Sequence, residues 1–208
     1  AALSIASHPD FPSLSTHFVL QWGPFGLNDV RTGTPAFTTP LVKLEDLTLH
    51  RAPAVPWLSR FAEPNVRTYV RDAQGRRGVW FFSLDAARLA AVFGARSAYS
   101  LPYFWARMSA HHDAGRFVYR SRRRFGPPAE AHISIRPGRE VAEPSELEAF
   151  LTARWRLYAL RAGRLLRADV DHPRWPLRRA TVDALDETLF TAAGLPAPVG
   201  APLAHFSP

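Results

Sequence analysis

Two alternating runs, 65–70 and 79–85, flank a glycine turn and put charge where a strand pair would bury its inner face. In "NVRTYV" one face carries Asn65, Arg67 and Tyr69, and the other Val66, Thr68 and Val70. In "VWFFSLD" Val79, Phe81, Ser83 and Asp85 share a face. Gly75, within a stretch ending "GRRG", marks the turn that makes the two runs a hairpin. A buried guanidinium or carboxylate costs several kcal/mol unless it is paired or used. The fold must therefore give Arg67 and Asp85 partners, or a ligand to meet.

Further strands follow from the same period. "HFVLQW" and "AFTTPLVKL" lie in a stretch rich in Pro, Gly, Ser and Thr, and Pro53, Pro56 and Pro64 break the chain before the hairpin. "GRFVYRSRRRF" and "EAHISIRPG" are two more strands, as are "RLYAL" and "RLLRADV" around Gly163, with a last one near 177–185. Three helices are expected: "DAARLAAVFGA", starting at Asp85 and stopping at Gly94; "PSELEAFLTARW", opened by a capping box of Ser145 and Glu148; and a short one over 186–193. Many strands with few short helices give an α+β protein on a mainly antiparallel sheet or barrel. No repeat is visible, and the length suits a single domain over 1–208.

Composition removes several functions. The chain has no cysteine, hence no disulfide, thiolate nucleophile or cysteine metal site, and a cytoplasmic setting is expected. "HHD" at 111–113 lacks a distant partner, so neither metal nor cofactor is expected. No nucleophile elbow of the Gly-x-Ser-x-Gly kind and no phosphate-cradling glycine loop occurs. The apolar region 79–106 is interrupted by Asp85, Arg88 and Arg96, which argues against a membrane span, and "AALSIASHPDFPSLSTH" does not read as a secretory signal. The net charge of +8 raises a nucleic-acid partner, but the basic residues are spread out except in "YRSRRRF" at 119–125. Nucleic acid is thus the third reading, behind a small-molecule ligand; oligomeric state stays open.

The strings "PNVRTYV", "GVWFFSLDA", "YSLPYFWARM", "YRSRR", "FLTARWRLYAL", "HPRWPL" and "HFSP", in this order, resemble the YqjF-like family (domain of unknown function 2071) from Leu44 to the C-terminus. Residues 1–40 echo it only through Gly33, Ala36 and Phe37, and read as a divergent N-terminal part of the barrel. That family is in turn similar to acetoacetate decarboxylases, which implies a cone-shaped antiparallel β-barrel with its site inside. Asp85, Ala86, Arg96 and Pro102 match the decarboxylase pattern, whereas its lysine positions are Tyr103 and Phe104. A phenol cannot form a Schiff base. The decarboxylase glutamate has no placed counterpart, the matching neighbourhood reading "WLSRFAE".

Six residues are ligand-binding candidates: Arg67, Asp85, Arg96, Tyr103, Ser121 and Arg123. Arginines on an inner face can clamp a carboxylate or enolate, while Asp85 orients one of them or acts as a base; equally, Asp85 reads as a helix N-cap or a structural ion pair. Tyr103 is a donor to a ligand carbonyl or one more core aromatic. In "YRSRRR" Tyr119, Ser121 and Arg123 alternate with Arg120, Arg122 and Arg124, an inward set beside a solvated one, or a basic edge. The expected function is binding of a small carbonyl- or carboxylate-bearing molecule, with or without chemistry that avoids a Schiff base. The alternative is a non-catalytic ligand-binding or sensing module.

Overall fold

The computed structural model describes residues 2–6, 17–22, 37–39, 62–72, 74–169 and 174–208. The strands are β1 (Ala2–Ala6), β2 (His17–Trp22), β3 (Phe37–Thr39), β4 (Asn65–Arg71), β5 (Arg77–Ala86), β6 (Tyr103–Asp113), β7 (Arg116–Arg123), β8 (Glu130–Glu140), β9 (Arg156–Arg161), β10 (Arg164–Asp169), β11 (Arg178–Glu187) and β12 (Leu203–Ser207). Three helices lie among the described residues: α1 (Leu89–Tyr99), α2 (Glu146–Thr152) and α3 (Leu189–Ala192). The class is α+β, with strands dominant. Lys43 and most of residues 1–40 lie outside the described part, apart from the backbones of β1 to β3 and the buried Leu20.

All the described strands join one sheet, in the order β1-β4-β3-β2-β12-β11-β8-β7-β6-β5-β9-β10, with β1–β2 and β4–β5 paired in addition. The sheet is mixed: β5 runs parallel to β6 and to β9, and the other pairings are antiparallel. Parallel neighbours need a long crossover, and α1 supplies the one from β5 to β6.

The β4–β5 hairpin forms where the alternation predicts it. Gly75 takes φ 76°, and Asp72 Oδ1 accepts from the amides of Gln74 and Arg76 at 3.0 and 2.9 Å, which closes the turn. A bulge sets Val66 opposite Ser83 but Arg67 opposite Phe81. β9 docks against the same hairpin where Gly78 leaves room for Tyr158; a Cβ on Gly78 would lie 2.5 Å from that ring.

The first helix departs from its expected limits. It does not start at Asp85, because Leu84, Asp85 and Ala86 are still strand, paired with Tyr103, Phe104 and Trp105. Arg88 occupies the N-cap with no side-chain bond, and the helix passes through Gly94 to end at Ser100 in the left-handed region, φ 54°, two residues before Pro102. Asp85 is therefore no helix cap. α2, in contrast, carries the expected capping box: Ser145 Oγ accepts from the Glu148 amide, and the Glu148 carboxylate accepts from the Ser145 amide at 2.9 Å.

Two core clusters result. One joins Leu20, Val66, Tyr119, Ile133, Ile135, Phe190 and Phe206. The other packs Val79, Phe81, Leu84 and Tyr103 under Val92 of α1. Among the described residues no helix is long and apolar enough to cross a membrane.

Candidate functional site

The far end of β5 is clamped on both edges. The Leu84 amide donates to the Pro102 carbonyl at 3.0 Å, and the Asp85 amide to the Pro64 carbonyl at 2.9 Å. Leu84 is in register with both Asn65 and Tyr103, so these three side chains share one face. Asp85, one residue on, takes the opposite face with Phe104.

On the Leu84 face the key side chain is Glu63, which is 2% exposed. Its Oε2 accepts from the Tyr103 hydroxyl at 2.5 Å and its Oε1 from Asn65 Nδ2 at 3.2 Å. Burial pushes the Glu63 carboxyl up to about 7, against the pull of Tyr103, Asn65 and the Arg67 charge. Burial together with the Glu63 carboxylate drives the Tyr103 phenol well above its ordinary range. Arg67 is 4% exposed, with its guanidinium 6.0 Å from the Tyr69 ring, and its Nε has no hydrogen-bond partner among the described residues. Burial lowers Arg67 to about 9, which still leaves it cationic at neutral pH.

On the Asp85 face, Arg123 grips the carboxylate through two nitrogens: Nη2 to Oδ1 at 2.6 Å and Nε to both oxygens at 3.1 and 3.2 Å. The side chains are 0% and 1% exposed, and the guanidinium lies 4.0 Å over the Phe104 ring. Burial raises the Asp85 pKa and the Arg123 fork opposes it. Both carboxylate oxygens are thus occupied by protein. Next to this pair on β7, the hydroxyls of Tyr119 and Ser121 are buried without a hydrogen-bond partner among the described residues.

The six candidates accordingly fall into three places. Arg67 and Tyr103 gather with Glu63 and Asn65; Asp85, Ser121 and Arg123 line the other face of the same strand end; Arg96 stays outside. Arg96 is an exposed residue of α1 whose Nη1 donates to the Tyr103 carbonyl at 2.8 Å, so it positions the backbone from outside. Glu63 was not among the candidates. It follows the Pro-broken stretch before β4, where no periodicity distinguishes a buried acid from a surface one. "HHD" is on β6, with His112 stacked on Phe117 at 4.3 Å, and no group able to hold a metal exists among the described residues.

The family model described as "Uncharacterized conserved protein", domain of unknown function 2071, matches residues 41–208. This chain belongs to that YqjF-like family. It is 36% identical over 166 residues to the uncharacterized protein YqjF of Bacillus subtilis (strain 168), an alignment that covers 79% of this chain and 68% of YqjF. Among solved structures it is similar to acetoacetate decarboxylase from Legionella pneumophila, with a TM-score of 0.52 at 11% identity, over 99% of this chain and 78% of the decarboxylase. At that identity the likeness is one of fold.

Proposed function

We propose that this YqjF-like protein binds a small carbonyl- or carboxylate-bearing molecule at the end of β5 and moves a proton on it without a Schiff base. The observation that carries the reading is the buried Glu63 carboxyl, poised at about 7 and hydrogen-bonded to Tyr103. A base of that pKa is both partly ionised and a competent proton acceptor near neutrality. In the proposed step Glu63 takes a proton from the carbon next to a carbonyl, and the C–H electron pair becomes an enolate. Tyr103 then turns its O–H to the enolate oxygen, and Arg67 offsets the developing negative charge. Glu63 exchanges that proton with solvent and gives one back to the enolate carbon, which returns the carbonyl compound with an exchanged hydrogen and the carboxylate in its starting form.

The proposed surroundings are a closed acetoacetate decarboxylase-like barrel formed by one domain over 1–208. The extra β4–β5 pairing, which joins strands separated in the linear order, supports closure. A cytoplasmic setting is in keeping with a cysteine-free chain.

Incubating the protein with pyruvate, acetone or acetoacetate in D2O and following loss of the α-proton NMR signal tests the chemistry. Exchange above buffer with at least one compound, reduced about 100-fold or more in Glu63→Gln, is expected. No exchange with any of them, together with no shift in melting temperature, overturns the reading. A second reading, binding or sensing without turnover, is favoured by the unpartnered Nε of buried Arg67. A melting-temperature rise without exchange selects it.

A further inference from the structure

Away from this strand end, a pocket of about 660 Å³ opens between the β4–β5 hairpin, α2 and the start of β9. Arg71, Arg77, Arg154 and Arg156 line it, with Phe150, Trp155 and one acid, Glu146. Arg156 is already matched by Asp169, at 2.6 Å. Arg71 and Arg77 stand directly opposite each other in the hairpin register, and neither has a carboxylate partner among the described residues. Like charges directly opposite on paired strands are destabilising, so the hairpin pays for this arrangement in the absence of an anion.

The third guanidinium is held in place. Arg154 lies 4.0 Å from the Phe150 ring and 4.8 Å from the Tyr69 ring, and its Nη1 donates to the Ala153 carbonyl at 2.8 Å. Arg77 approaches the same Phe150 ring at 5.8 Å. Aromatic faces therefore fix the directions of two cations that a helix end or solvent would leave mobile. Burial above all, with Tyr69 opposing it and the charges of Arg77 and Arg71 adding to it, holds Arg154 down at about 10.

We infer that this pocket is a second binding site, independent of Glu63 and Tyr103, for a small molecule with at least two carboxylate or phosphate groups. Arg71, Arg77 and Arg154 would share its oxyanions, and Trp155 and Phe150 would cover its carbon skeleton.

Calorimetric titration with citrate and with inorganic pyrophosphate, at matched ionic strength, tests the inference and separates the two sources of negative charge. Saturable binding of either in the millimolar range or tighter is expected. It should weaken about tenfold or more in Arg77→Ala and in Arg154→Met, and remain unchanged in Tyr103→Phe. Citrate alone assigns carboxylates, pyrophosphate alone assigns phosphates, and both together assign general polyanion recognition. A thermal test adds a reversal of sign. Without ligand, Arg77→Ala should melt no lower than wild type, because the Arg71 repulsion is gone; with the bound anion, wild type should melt higher. No saturable binding of either compound, or equal binding by Arg77→Ala and wild type, overturns the proposal.

Discussion

The Tyr103 hydroxyl donates to Glu63 Oε2 at 2.5 Å, although 40 residues separate the two in the chain. The bond crosses the end of β5 above Leu84, which is in register with residues on both sides. It joins a buried acid to a buried phenol, and the pH dependence of stability should report it.

Glu63 has a folded pKa of about 7, raised from 4.5. A raised carboxyl favours the protonated folded state, so its contribution is fully present below 4.5 and is lost as pH rises through about 7. Stability should decline over that window, by on the order of 3 kcal/mol for this group. Urea unfolding of wild type and Glu63→Gln between pH 4.5 and 8 checks it. The decline should be absent in the variant, and parallel curves for the two proteins would remove Glu63 from the account.

Acid should act through a different carboxylate. Glu148 receives the Ser145 amide, His205 Nε2 at 2.8 Å and Arg179 Nη1 at 2.6 Å. Despite burial, the Ser145 amide and hydroxyl together with His205 hold its pKa down at about 2, from 4.5. Its contribution is present above 4.5 and lost as pH falls toward about 2. Glu148→Gln should flatten the acid limb of the stability profile over that range, measured by unfolding at pH 2.5, 3.5 and 5. An acid limb of unchanged steepness would contradict the assignment.

Removing one member of the Asp85–Arg123 pair leaves an uncompensated charge at a site 0% and 1% exposed. Asp85→Ala and Arg123→Met should each lose about 3–5 kcal/mol in denaturant melts. Asp85→Leu combined with Arg123→Met should recover most of that, because both charges go together. Single losses under about 1 kcal/mol would mean that solvent reaches the pair.

Amine chemistry can be installed to test the match between Tyr103 and the decarboxylase lysine position. Acetoacetate followed by borohydride should leave the wild-type interior unlabelled and label the new lysine in Tyr103→Lys. Burial lowers that lysine's pKa and the Glu63 carboxylate raises it, so Tyr103→Lys with Glu63→Gln should label faster. Mass spectrometry of the folded variants decides it; an unlabelled lysine in both would detach Tyr103 from the decarboxylase lysine position.

The strand pair around Gly75 and the capping box of α2 were legible because both are local: a period of two, and a spacing of three. The limits of α1 were not, since Leu84–Ala86 are claimed by parallel pairing to β6, which no window around Asp85 contains. β12 follows a Pro-rich segment, with no strand signal of its own in the sequence, and it is held by β2 and β11 from distant parts of the chain. Within the candidate site, Arg67 and Asp85 announced themselves as charges in apolar runs. Glu63 did not, because Tyr103 meets it from across β5 and no local pattern in the sequence brings the two together. Arg96, to which the resemblance pointed, sits on the exposed side of α1 and reaches back to the Tyr103 carbonyl and the Phe104 ring, a placement that no local pattern in the sequence sets.

One edge of β5 belongs to β4, while its other edge is divided between β9, at Val79 and Trp80, and β6, at Leu84 to Ala86. The sheet therefore forks at this strand, and β9 with β10 forms a side branch, not a link between β4 and β6. In native-state amide exchange the branch should open as a unit of its own, while amides near Asp85 exchange only with global unfolding. The same fork makes the branch a modular attachment: it can change length or sequence among descendants of this architecture while the strand end that carries the buried charges keeps its neighbours.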